Sequence, residues 1–196
     1  MNVVELSISG PLLIEPLKFV DERGFVSETY NARALKQFIG DVSFVQDNHA
    51  FSKGGGTVRG LHFQRPPHAQ GKLVRVVQGS IYDVVVDIRC GSPTFGRHLA
   101  VELSAANWAQ LWIPVGFAHG FCTLEPDTEV IYKLTANFSP EHEQGVIWND
   151  PALEIDWPVT ASRAIVSHKD QAQPRLVDLP AYFDFELEEE KRRRAR

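Results

Sequence analysis

Residues 72–78 and 81–89 are both rich in valine and isoleucine, and only Gly79-Ser80 separates them. Side chains branched at Cβ favour strands. A two-residue, glycine-containing connection between two such runs predicts a β-hairpin. In that register Gln78 faces Ile81, Val76 faces Asp83 and Lys72 faces Asp87. Alternation then places Lys72, Asp83 and Asp87 on one face. Charges on one face of so apolar a pair are costly unless that face lines a polar cavity or pairs them.

The rest of the chain follows the same rhythm. Strands are expected over residues 1–11, 12–20, 25–30, 42–51, 98–103, 109–113, 118–124 and 129–135, with a turn at Asp21-Glu22-Arg23-Gly24. One helix is expected over 32–39, capped by Asn31 and closed by Gly40. Asp178-Leu179-Pro180 introduces a second helix near the C-terminus, and the charged run 188–196 reads as a solvated or frayed end. Many short strands with turn signals every eight to twelve residues predict an all-β fold. The expected architecture is an antiparallel jelly roll, a cupin-like sandwich or barrel with a few short peripheral helices. No repeat or linker divides the chain, so residues 1–196 read as a single domain.

Composition narrows the function. A net charge of −5 argues against a general nucleic-acid binder, which needs a basic surface to displace phosphate counterions. Two cysteines, Cys90 and Cys122, make no disulfide framework and suit a reducing compartment. The first residues do not read as a signal peptide, because Glu5, Gly10, Pro11 and Glu15 cut the apolar run and no basic region precedes it. No stretch reaches membrane-spanning length. The expectation is a soluble, cytoplasmic protein with no membrane or nucleic-acid partner.

The chemistry-bearing stretch is residues 59–72, which gathers Arg59, His62, Gln64 and Lys72 just ahead of the apolar strands. A second histidine, His119, ends Pro114-Val115-Gly116-Phe117-Ala118-His119. That Pro-x-Gly-x-x-His pattern resembles the second motif of the cupin superfamily. Metal-binding cupins carry His-x-His and a glutamate in their first motif, whereas this chain has His62-Phe63-Gln64 and no glutamate from there to Gly79. Two imidazoles fall short of the three or four ligands of a firm transition-metal site, so no metal is expected. Without metal, a histidine with near-neutral pKa is suited to proton transfer, oriented by a carboxylate; Asp83, Asp87 and Asp170 are candidates. Lys72 is suited to stabilise an oxyanion, and Tyr132 to move a proton from another direction. His49, His68, His98, His142 and His168 lack such company. Ser52-Lys53-Gly54-Gly55-Gly56 reads as a plain loop.

Ordered motifs run nearly the whole chain. They are Asp21-Glu22-Arg23-Gly24-Phe25 with Glu28, Gln46-Asp47-Asn48, Arg59-Gly60-Leu61-His62-Phe63-Gln64, Gln70-Gly71-Lys72, Ser92-Pro93-Thr94-Phe95-Gly96, residues 83–89 and 113–121, Tyr132-Lys133, Trp148-Asn149-Asp150-Pro151 and Lys169-Asp170. Together they resemble the dTDP-4-dehydrorhamnose 3,5-epimerase family. The resemblance implies a dTDP-4-keto-6-deoxy-D-glucose substrate, inversion at C3 and C5 beside the C4 ketone, and no cofactor. It implies His62 as base, Asp170 as its orienting carboxylate, Lys72 on the enolate oxygen and Tyr132 as the acid on the opposite face. Arg59 becomes a diphosphate clamp. Gln46, Asn48, Arg23, Glu28 and Phe19 line the nucleotide site, with His119 and Lys169 nearby. Phe19, Arg23 and Glu28 are implied to come from a partner subunit, hence a homodimer. Phe138 stands where the family often has a thymine-stacking tyrosine; it keeps the stacking face and loses the hydroxyl. An epimerase acting at C3 or C5 alone, and a non-catalytic sugar-binding module, are the alternatives.

Overall fold

The computed structural model describes residues 1–195, with side chains through residue 190. The chain begins with β1 (Asn2–Glu5), β2 (Leu12–Glu15), β3 (Lys18–Asp21), β4 (Gly24–Ser27), helix α1 (Ala32–Ile39) and β5 (Gln46–Ser52). The middle holds β6 (Thr57–Gln64), β7 (Lys72–Gln78), β8 (Ser80–Asp87), β9 (Arg89–Cys90), β10 (His98–Ser104), β11 (Gln110–Ile113), β12 (Phe117–Thr123) and β13 (Thr128–Leu134). Then come β14 (Glu143–Gly145), β15 (Ile165–Val166), the short helix α2 (His168–Gln171), β16 (Phe183–Asp184) and α3 (Phe185–Ala195).

Two main sheets face each other. One runs β1-β2-β11-β7-β13-β5; the other runs β10-β8-β12-β6-β14, with β15 added in parallel to β6. Val74, Val76 and Val130 from the first sheet meet Ile81, Val85, Phe117 and Phe121 from the second in one buried cluster. Burying each such side chain fully contributes about 1.5–3 kcal/mol. The jelly-roll expectation is borne out. Among the described residues no helix is long and apolar enough to cross a membrane, and both cysteines are free.

The expected hairpin is not formed. β7 pairs with β11 and β13, while β8 pairs with β10 and β12, so the chain changes sheets at Gly79. Gly79 has φ +75°, and a Cβ there would stand 2.4 Å from the Thr128 hydroxyl. The physical reason is burial. Both strands carry apolar side chains on both faces, and a central place in separate sheets buries more of them than a hairpin would. Lys72 and Asp83 still look into the same interior, but Asp87 does not join them. Its carboxylate binds Arg89 through Nε (2.9 Å) and the second terminal nitrogen (2.7 Å).

Other elements fall near their expected places. Asn31 accepts the Ala34 N–H at 3.1 Å, and Gly40 closes α1, which buries Leu35. The strand expected over 12–20 is broken at Pro16, which has no N–H to donate to a ladder. The strand expected from 42 begins only at Gln46.

The acidic start of the terminal run is held rather than solvated. Glu188 is buried, and Glu189 pairs with the almost wholly buried Arg89 at 3.0 Å. Arg89 also donates to the Ser9 carbonyl and lies between the Phe117 and Phe185 rings. It thereby ties the N-terminal segment, β12 and α3 together. The rest of that run, 191–196, lies outside the described side chains.

Candidate active site

Alternation explains how the site forms. On β7, Lys72 shares its face with Val74 and Val76; on β13, Tyr132 shares its face with Val130. On β12, His119 lies between Phe117 and Phe121, and on β8, Asp83 lies between Ile81 and Val85. On β6, Leu61 and Phe63 join an outer cluster, which turns His62 inward. Polar residues therefore continue the inner face where the valine core stops. His62, Lys72, His119 and Tyr132 line a cavity of about 550 Å³, which Arg59, Glu143, Lys169 and Asp170 also border.

His62 Nε2 lies 2.6 Å from Asp170 Oδ1. Asp170 arrives from 108 residues away because β15 lies parallel on β6, pairing Ile165 with Thr57 and Val166 with Val58. The Ser167 hydroxyl then accepts the Asp170 N–H at 3.1 Å and caps the turn. Burial alone would raise the Asp170 pKa. The His62 bond and charge, the Gly60 N–H and Ser167 outweigh burial and hold it below the usual carboxylate range. A carboxylate facing Nε2 keeps the neutral ring's proton there and leaves Nδ1 as the basic nitrogen. Gly60 lets β6 lie close against β12 beside this pair. It has φ +128°, and a Cβ on it would lie 2.5 Å from the Gly120 Cα.

His119 forms a second pair, with Nε2 at 2.7 Å from Asp83 Oδ1. Burial pushes the His119 pKa down against the pull of Asp83, and the Lys72 and His62 charges push the same way. This imidazole is held neutral. Asp83 Oδ2 is buried and has no hydrogen-bond partner among the described residues.

Lys72 Nζ donates to the His62 carbonyl at 3.2 Å. It keeps a little surface toward the cavity, yet the protein crowds it enough that burial lowers its pKa to about 8, with Asp83 and Glu143 opposing. Arg59 is braced by the Ser52 hydroxyl (3.1 Å) and the Phe51 carbonyl (2.9 Å). Lys169 forms an ion pair with Glu143. The sequence reading missed Glu143, which sits in a segment without strand alternation and enters the site only because β14 pairs with β6.

The structure brings His62, Lys72, Tyr132, Asp170, Arg59, His119 and Lys169 to one cavity. Gln46, Asn48 and Phe138 do not line it. They form a hydrogen-bonded chain that ends on Tyr132. Phe19, Arg23 and Glu28 are exposed on or beside the β3–β4 ribbon and do not line it either. Gln64 has a structural duty: its amide bonds the His68 and Asn137 carbonyls and the Ser139 N–H, stapling two loops. Among the described residues no group of three or more histidine, cysteine or acidic side chains is placed to hold a metal ion.

Comparison with known proteins bears on the chain as a whole. A sequence model of dTDP-4-dehydrorhamnose 3,5-epimerase matches residues 5–178. The dTDP-4-dehydrorhamnose 3,5-epimerase of Sinorhizobium fredii is 51% identical over 185 residues, covering 94% of each chain. The crystal structure of the Bacillus anthracis enzyme of that name, with TDP and PPi bound, superimposes with a TM-score of 0.86 at 50% identity, over 89% of this chain and 98% of that one. The dTDP-6-deoxy-D-glucose-3,5-epimerase of Legionella pneumophila, in complex with dTDP-4-keto-L-rhamnose, gives a TM-score of 0.89 at 41% identity, over 94% and 98%. With a sequence and a fold shared across nearly its whole length, this chain belongs to the dTDP-4-dehydrorhamnose 3,5-epimerase family.

Proposed function

We propose that the cavity binds dTDP-4-keto-6-deoxy-D-glucose and inverts C3 and C5, giving dTDP-4-keto-L-rhamnose. The observation that carries this reading is that His62 and Tyr132 reach one cavity from facing sheets, with Lys72 in the same space. Carbon acids beside a ketone lose a proton when the resulting enolate is stabilised. His62 Nδ1 takes the proton, and the C–H electron pair moves into the ring bond toward C4 as the C4 oxygen becomes an enolate. The Lys72 ammonium neutralises that oxygen. As the carbonyl re-forms, the Tyr132 hydroxyl gives a proton to the opposite face, which inverts the centre. Asp170 orients His62 and stabilises its imidazolium. The sequence is redox-neutral: each inversion leaves His62 protonated and Tyr132 as phenolate, and proton exchange with solvent returns both to their starting forms before the next centre reacts.

Arg59 and Lys169 serve the diphosphate, and His119 lies beside the sugar. Phe138, half exposed, offers a ring face to the thymine. Phe19, Arg23 and Glu28 complete the nucleotide site of a partner chain in a homodimer. What supports this is their place on an exposed, apolar ribbon outside this chain's own cavity: Phe19 is 65% exposed and Val20 75%.

The test is incubation with the keto-sugar in heavy water. Deuterium at C3 and C5 with inversion is the expected result. Label at one carbon only makes the protein a single-centre epimerase, and no exchange with this or related keto-sugars sinks both.

A further inference from the structure

Three hydrogen bonds run from the main chain at Phe138 to the phenol of Tyr132. The first has a fixed direction. The Phe138 backbone N–H can only donate, and it lies 2.8 Å from Gln46 Oε1. Gln46 must then turn its NH₂ the other way, and Nε2 lies 2.8 Å from Asn48 Oδ1. Asn48 in turn must present its own NH₂ to Tyr132, where Nδ2 lies 3.2 Å from the phenolic oxygen. The strands supply the alignment: Asn48 is the direct cross-strand partner of Tyr132, and Gln46 is two residues along the same face.

A hydroxyl has a single proton. A phenol that accepts from Asn48 keeps that proton for another direction, and Tyr132 borders the cavity. We infer that Gln46 and Asn48 are positioning residues that set the polarity of Tyr132, so that its O–H points at the substrate. This is distinct from the nucleotide contact implied by family resemblance. It rests on Tyr132 being the acid, as proposed above.

Substitutions two residues apart reverse the polarity without touching Tyr132. In Gln46→Glu the new carboxylate accepts from Phe138 and also needs a donor from Asn48. Asn48 then flips, shows its carbonyl to Tyr132 and captures the phenolic proton. Asn48→Asp captures it directly.

Neutron diffraction of the free protein in heavy water reads the polarity with no substrate present. A deuterium on the Tyr132 oxygen directed into the cavity is expected, and one directed at Asn48 overturns the inference. The kinetic arm compares product inversion with deuterium wash-in at the same carbon. In Gln46→Glu and Asn48→Asp that ratio should fall about a hundredfold, the usual scale for loss of an acid catalyst, and match Tyr132→Phe. An unchanged ratio with only a raised KM shows plain nucleotide binding and overturns it. If the parent protein shows no exchange at all, the functional reading fails, while the neutron result still decides the polarity.

Discussion

His62 and His119 are direct cross-strand partners on β6 and β12, and each gives its Nε2 to a different buried aspartate. The two pairs are not equivalent. His62 keeps some exposure to the cavity beside a carboxylate held ionised, whereas His119 is buried and held neutral. The proposal of His62 as the proton acceptor rests on that asymmetry.

Replacing Asp170 by asparagine keeps the shape and removes the charge that orients His62. Wash-in of deuterium should slow by about 10³-fold, while circular dichroism stays that of the parent. A loss smaller than tenfold would transfer the base's support to another group.

Lys72 sets an alkaline limit. Its ammonium is lost as pH rises through about 8, so kcat/KM should fall with a midpoint near that value. Asp83 opposes the downward shift, so Asp83→Asn should move the midpoint lower. Stability should move the other way. Between about 8 and the ordinary lysine value of about 10.4 the unfolded chain binds more protons, so this group's contribution to stability increases with pH. A pH–rate profile beside urea titrations checks both slopes.

Acid should act through Asp87 and Asp170. For Asp87, burial raises the pKa, but Arg89, Ser92 and Thr94 outweigh it, and the net shift is downward, as at Asp170. Depressed carboxylates contribute stability that is complete above the unfolded value of about 3.9 and is lost as pH falls through the folded values. Asp87→Asn should flatten the acid limb of a stability–pH curve.

Arg89 is a buried cation whose charge is balanced by Asp87 and Glu189. Arg89→Met takes the cation away from the buried Asp87 carboxylate and should cost about 3–5 kcal/mol in urea unfolding. Adding Asp87→Leu should recover part of the loss.

Gly60→Ala places a methyl carbon against the Gly120 backbone at a positive φ. The expected cost is about 3 kcal/mol, read as a lowered midpoint in denaturant. Strand separation at that point also moves the Gly60 N–H away from Asp170.

Much of the scaffold was legible because alternation is a local signal: β10 to β13 lie within a residue or two of their expected bounds. The Gly79-Ser80 turn misled because a glycine corner looks the same whether the next strand pairs with its predecessor or crosses to the other sheet. Coverage of both faces decides that, and coverage is a property of the whole chain. His62 and Lys72 were legible from their neighbours. Asp170 was one carboxylate among several until β15 docked on β6, and Glu143 had no local signal at all. Gln64 stood out as a missing metal ligand, yet its amide is occupied with loop backbone.

The facing sheets carry different halves of the proposed reaction. His62 and His119 stand on β6 and β12, and Lys72 and Tyr132 on β7 and β13. The stereochemical fidelity of the catalyst is therefore tied to the thickness of the sandwich. Overpacking at Val74, Val85 or Val130, in the core that adjoins the site, would widen that spacing and blur handedness before it unfolded the protein.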